Sequence, residues 1–255
     1  MKKSLSIGIS VIFLLGLLAL PGIGRGQEDL AKKKEEAKTI LEKMIEVQGG
    51  RQLLESITDT TSTASIEMVT MGMSGSATLY HKEPGKMRMD IEVMGMVITQ
   101  AFDGQKAWWV NPQTSLEEEM PESATQDLKR QALTMGNKAT LDPDSLGIVY
   151  THEGTEAIDG KDYLVLKQIL PDGFESTIYV DPSDYLTFMT KATIINQMGT
   201  EVESVTHYSD YRDLEGMKYP FNLTVYQAGE EFMSITMNEI KFNSGLEDSL
   251  FQMSK

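Results

Sequence analysis

The chain has no cysteine. That excludes disulfide staples, thiolate metal sites and a lipid-bearing N-terminal cysteine, so the fold must rest on its core. Histidine is nearly as scarce: His81, His152 and His207 stand far apart, without a partner at metal-ligand spacing, and read as strand or surface residues. Basic charge is in deficit, with 23 Lys and Arg against 38 Asp and Glu and a net charge of −15. Such a surface repels phosphate backbones and anionic lipid head groups, which argues against nucleic acid and against lasting membrane-surface binding. Long apolar runs are also missing. The longest, residues 7–20, falls short of the ~20 residues that span a bilayer.

That run has another use. Lys2 and Lys3 precede it, and Pro21, Gly22, Gly24 and Gly26 follow, which is the layout of a secretory signal peptide over residues 1–26 with cleavage expected before Gln27. Removing Lys2, Lys3 and Arg25 leaves 20 basic and 38 acidic side chains, a net charge of −18 for residues 27–255. The remaining length suits a single all-β domain.

What is present is strand pattern. In residues 86–93, Met87, Met89, Ile91 and Val93 alternate with Lys86, Arg88, Asp90 and Glu92, a strand with one apolar and one wet face. Residues 63–112 read as a five-strand antiparallel meander, punctuated by Gly72, Gly75, Pro84, Gly85, Gly95 and Asp103-Gly104. Strands resume near Gly147, with turns at Asp159-Gly160, Asp172-Gly173, 182–184, 198–199, 214–216 and Gly229-Glu230. Two helices are expected, 27–48 ended by Gly49-Gly50 and 122–135 ended by Gly136-Asn137, with a short apolar turn at Leu53, Leu54 and Ile57 between the first helix and the meander.

A dozen strands ~4.8 Å apart make a sheet more than ~50 Å wide, whereas a helix is ~10 Å across. Two helices cannot cover its apolar face, so the sheet must curl into a barrel or half-barrel, or split into a sandwich. A curled sheet of that width encloses more space than side chains fill. The expected lining of such an apolar cavity is Met87, Met89, Ile91 and Val93, followed by Ile66, Met68, Leu79 and Trp108. Trp108 and Trp109 point to opposite faces, so at most one lines it. Unbranched methionines suit a surface that repacks around variable apolar ligands, and equally fill core gaps.

No catalytic signature stands out. Residues 72–76 approach a nucleophile elbow but end in Ser76 instead of glycine. Asp142, Asp144 and Ser145 lack the glycine and distal glutamate of an EF-hand. Asn222-Leu223-Thr224 matches a glycosylation acceptor inside an expected strand, and Asp90 with Glu92 faces water between Lys86 and Arg88 rather than forming an acid-base pair. Neither an enzyme activity nor a cofactor or metal is expected.

Gly75 with Leu79, the strand entry from Pro84 to Met89, Asp103-Gly104 followed by Trp108, Asn111-Pro112, Tyr179-Val180-Asp181-Pro182, and Tyr211-Arg212 through Gly216 to Tyr219-Pro220 resemble the periplasmic lipoprotein carriers of the LolA/LolB type. The resemblance covers the whole of residues 27–255. It implies a mainly β fold with few helices, an unclosed antiparallel β-barrel whose helices cover an apolar cavity. It also implies a monomeric periplasmic carrier or chaperone that holds the acyl chains of lipoproteins, or another lipid, on the way to the outer membrane. Partners would then be acylated lipoproteins or other lipids, with membrane-bound release and acceptor proteins. An envelope sensor on the same scaffold, binding lipids and partner proteins without transport, is the alternative. The departure is Glu83: some members place an arginine directly before the proline, where it helps to hold the lid.

Overall fold

The computed structural model describes residues 23–196 and 199–254. The expected signal peptide lies outside them except for its last four residues, which open helix α1, Ile23–Gln48. Among the described residues no helix is long and apolar enough to cross a membrane.

The first meander comprises β1 (Asp59–Met68), β2 (Met73–Lys82), β3 (Lys86–Val93), β4 (Met96–Phe102), β5 (Ala107–Val110) and β6 (Glu117–Glu119). A second contains β7 (Val149–Ile158), β8 (Lys161–Ile169), β9 (Glu175–Val180), β10 (Thr187–Ile195), β11 (Glu201–Leu214), β12 (Met217–Gln227) and β13 (Glu230–Phe242). β1 pairs with β13, which welds the two meanders into one antiparallel sheet in the order β6-β5-β4-β3-β2-β1-β13-β12-β11-β10-β9-β8-β7. The sheet does not close: β6 and β7 are its edges. It has the unclosed-barrel form expected of a sheet this wide.

β6 is a strand that the sequence pattern hides. Three successive glutamates carry no period-two signal, and they fall between the expected meander and the expected helix 122–135. They pair with β5, Trp108 opposite Glu119 and Val110 opposite Glu117, and Lys106 bonds Glu119. Two short helices, α2 (Arg51–Ser56) and α4 (Lys138–Leu141), also join the two expected ones, α1 and α3 (Glu122–Met135).

The helices lie on one face of the sheet. Ala37, Ile40, Leu41, Met44 and Ile45 of α1 recur at helical spacing and are all buried, the first four against Ile148, Tyr150, Leu166 and Val180, and Ile45 against Met217. α3 buries Leu128 and Ala132 against Met87, Phe102 and Ala107. The other face of the first meander is covered by the C-terminal segment. Phe251 there is fully buried, and the carboxylate of Asp59 accepts from the backbone N–H groups of Ser244 and Gly245.

The β1–β2 and β3–β4 hairpin tips differ in chemistry from the turns at the opposite end of the sheet. Turns at one end carry charge: Lys82 and Lys86 around the β2–β3 turn both bond Asp248 at 2.8 Å, and Lys161 bonds Asp181. At the other end the second meander carries Asp172, Glu201, Glu230 and Glu231, whereas residues 68–80 and 93–102 of the first contain no charged side chain. Their hairpin tips are exposed and apolar, with Met94 at 78%, Met96 at 59% and Met71 at 48% exposure.

Candidate functional site

Directly paired residues share a face of a sheet, so register locates the inner surface. Met87 meets α3, which fixes its side as the inner one. By alternation Met89, Ile91 and Val93 share that side. Leu79 pairs with Met89, and Ile66 pairs with Gly75, itself opposite Val93, so both belong to it, as does Met68 two residues beyond Ile66. Seven of the eight expected lining residues therefore face inward. They are not equally accessible: Met87, Val93 and Ile66 are buried, whereas Met68, Leu79, Met89 and Ile91 are half-buried.

Trp108 corrects the expectation. It pairs with Ala101, which pairs with Arg88, and both lie on the outer face. There the indole Nε1–H donates to the carbonyl of Phe251 at 2.7 Å, and the Arg88 guanidinium lies 5.8 Å from the ring centre. The indole is needed to anchor the C-terminal segment. Trp109, opposite Gln100 and hence on the side of Met89, is the inward member of the pair.

A large cavity lies elsewhere than under the expected residues. It measures about 820 Å³ and is bounded by β7 to β12, by Met44 of α1 and by Asp127, Arg130, Gln131 and Thr134 of α3. None of the eight expected residues lines it; Leu79 instead borders a smaller void of about 30 Å³ beside His81 and Glu83. Its wall also differs from the expected apolar one. Leu170, Phe174, Ile178 and Ile194 contribute hydrocarbon, but Gln168, Ser176, Thr187, Thr190, Ser204, Thr206 and four tyrosines contribute polar groups.

Several of those groups are already engaged. Gln168 Nε2 donates to Tyr150 Oη at 2.5 Å, Ser176 Oγ donates to Gln168 Oε1 at 3.0 Å, and Tyr211 Oη donates to the carbonyl of Thr187 at 2.7 Å. Thr190 Oγ1 and Tyr208 Oη lie 3.3 Å apart. The hydroxyls of Ser204, Thr206 and Tyr219 enter none of the hydrogen bonds made among the described residues. Burial pushes the phenols of Tyr208, Tyr211 and Tyr219 upward, and that of Tyr150 to about 12, so all four stay protonated and can donate.

The hydroxyl-bearing wall runs straight into the apolar half. Tyr208 pairs with Leu223, Leu223 with Ile235, Ile235 with Ile66, and Ile66 with Gly75, opposite Val93. A single cross-strand row thus leads from the cavity along β12, β13 and β1 to β3 and the apolar tips. Gly75 is needed in that row, because a Cβ there would stand 2.3 Å from the carbonyl oxygen of Glu92.

α3 is held over the sheet by β2 and its turn. His81 Nε2 lies 3.2 Å from the carbonyl of Ala132, and Glu83 Oε1 accepts from the backbone N–H of Lys138 at 3.2 Å. Burial drives the His81 pKa down, opposed by the neighbouring Glu83 carboxylate. Glu83, the departure noted in the sequence, thus binds the corner between α3 and α4 by accepting a backbone donor. Gly136 makes room for it: a Cβ at that position would lie 2.5 Å from Glu83 Oε1 and 2.7 Å from His81 Cε1.

Among the described residues no three His, Asp or Glu side chains are grouped so as to hold a metal ion. Asp90 is occupied, its Oδ1 accepting from Arg88 Nε at 3.1 Å and from Thr99 Oγ1 at 2.7 Å, and Glu92 is exposed.

No known family profile matches the sequence, and no curated protein matches it. Solved structures share its fold. A DUF1329 family protein from Desulfovibrio piger superposes with a TM-score of 0.58 at 16% identity, covering 86% of this chain and 97% of that one. A LolA superfamily protein from Nitrosomonas europaea gives 0.57 at 16% identity, over 85% and 97%. A domain described as an outer membrane lipoprotein-sorting protein, from Vibrio parahaemolyticus, gives 0.56 at 14% identity, over 86% and 97%. At these identities the likeness is one of fold: this chain has the LolA-like unclosed barrel.

Proposed function

We propose that the chain is an exported periplasmic carrier that takes a lipid, such as the acyl chains of a lipoprotein, into the space between its curled sheet and α3, and that it performs no catalysis. The observation that carries this reading is the cavity of about 820 Å³ under α1 and α3, continued by an inward apolar row that ends in exposed, charge-free hairpin tips. A soluble protein that withdraws an acyl chain from a membrane must replace about 0.8 kcal/mol of burial for every methylene. Half-buried Met68, Met89, Ile91 and Ile235 offer that surface without a fixed shape. The LolA-like fold of structures that include a lipoprotein-sorting domain agrees with it.

The test is direct. Protein purified from its native envelope and examined by native mass spectrometry is expected to carry acylated species, and the emptied protein to bind a fluorescent fatty acid. Recovery always empty, with no affinity for the probe, sinks the proposal.

A further inference from the structure

The cavity wall is unlike a simple slot for hydrocarbon. Across β10 and β11, Thr190 faces Thr206 and Ala192 faces Ser204, and Tyr208 and Tyr219 stand beside them. The hydroxyls of Ser204, Thr206 and Tyr219 have no partner among the described residues. A hydrocarbon chain laid over such groups strips them of water and returns nothing, whereas a ligand with its own hydroxyls satisfies them.

Resting on the lipid-binding reading, we infer that this chamber is a headgroup site: it receives the uncharged, hydroxylated head of an amphiphile, of glycerol or sugar type, while the acyl chain lies along Leu223, Ile235 and Ile66. The row of directly paired residues supplies the continuity between the two parts. Charge explains why the head is neutral. Arg130 at the cavity's border is already bound by Asp127 at 2.9 Å and Asp172 at 2.7 Å, Lys218 is exposed and paired with Asp213 at 3.9 Å, and Glu201 is itself an anion. An anionic head inside would lie without a free counter-ion in a strongly acidic protein. The tyrosines and the Ser and Thr hydroxyls donate and accept, as a polyol requires.

Competition against a fluorescent fatty acid separates the possibilities. With equal acyl chains, monooleoylglycerol or an oleyl glucoside is expected to displace the probe from the purified protein at about one tenth of the oleate concentration or less, one unsatisfied hydroxyl being about a tenfold effect. Whichever of the two binds more tightly identifies the head as glycerol or sugar. In the triple variant Thr190→Val, Ser204→Ala, Thr206→Val, the preference over oleate is expected to fall to about threefold or less. Tyr219→Phe, which keeps the ring and therefore the packing, should lower the same preference on its own. Oleate binding as tightly as both hydroxylated lipids, or a preference that neither variant changes, overturns the headgroup site while leaving the carrier reading intact. A folded protein that binds none of the three lipids overturns both.

Discussion

The indole nitrogen of Trp108 donates to the backbone carbonyl of Phe251 at 2.7 Å, tying β5 to a segment 143 residues later in the chain. Phe251 is fully buried against the outer face, so the C-terminal segment covers the back of the first meander as α3 covers its front. Phe251→Ala is expected to cost about 3–5 kcal/mol, the usual range for a buried phenylalanine. Urea denaturation followed by tryptophan emission measures it. A loss below ~1 kcal/mol would show the contact to be incidental.

Acid should loosen the cover from the inside. His81 is buried with its pKa driven below the usual 6.5 and contributes a hydrogen bond to Ala132 of α3. The unfolded chain therefore takes up this proton first. Stability is expected to be full above pH 6.5 and to fall as pH drops below it towards the folded value, before most carboxylates titrate. Melting temperatures at pH 7.5 and 5.5 give the slope, and His81→Gln, which retains a donor and does not titrate, should flatten it.

Gly75→Ala places a methyl group 2.3 Å from the carbonyl oxygen of Glu92 and 2.7 Å from Val93 Cγ2. Backbone must move, so about 1–3 kcal/mol of destabilisation is expected. Because this glycine sits in the row that joins the two halves of the inner face, lipid affinity should fall with stability. Thermal unfolding and probe binding on one preparation check both.

Ala192→Trp fills the chamber from β10 without introducing charge. Probe affinity is expected to drop at least about tenfold while the melting temperature changes little, since the indole enters existing space instead of a packed core. Ile91→Asn puts an amide on the half-buried inner face of β3, and a loss of about 2–10-fold in affinity is expected there for any lipid, whatever its head. Equal binding by both variants and the natural chain would place the ligand elsewhere.

The strands were legible where one face is dry and the other wet, as in Lys86–Val93, and the turns where geometry demands Gly, Asp-Gly or Pro. The need to curl was legible too, because helix was in such short supply. β6 was not: its three glutamates are held by the neighbouring strand and by Lys106, and nothing in their own pattern shows it. The cavity was misplaced for a related reason. Thr190, Ser204 and Thr206 alternate within their strands, but short hydroxyl side chains read as a wet outer face, and only the register shows that they turn inward. Strand alternation puts Trp108 and Trp109 on opposite faces and does not say which of them faces inward. The indole N–H of Trp108 needed an acceptor, and the C-terminal carbonyl that supplies it is too distant in sequence for any local pattern to find.

The seam between β1 and β13 sets a condition on biogenesis. Thr60 aligns with Phe242 and Ile66 with Ile235, so the strand nearest the beginning of the sheet-forming chain waits for the last one. Until the C-terminal end has emerged, the first meander keeps a bare margin of unpaired amides and its tryptophan lacks a clasp. A polypeptide wired in this way completes its sheet late, only once its last strand is available to the first.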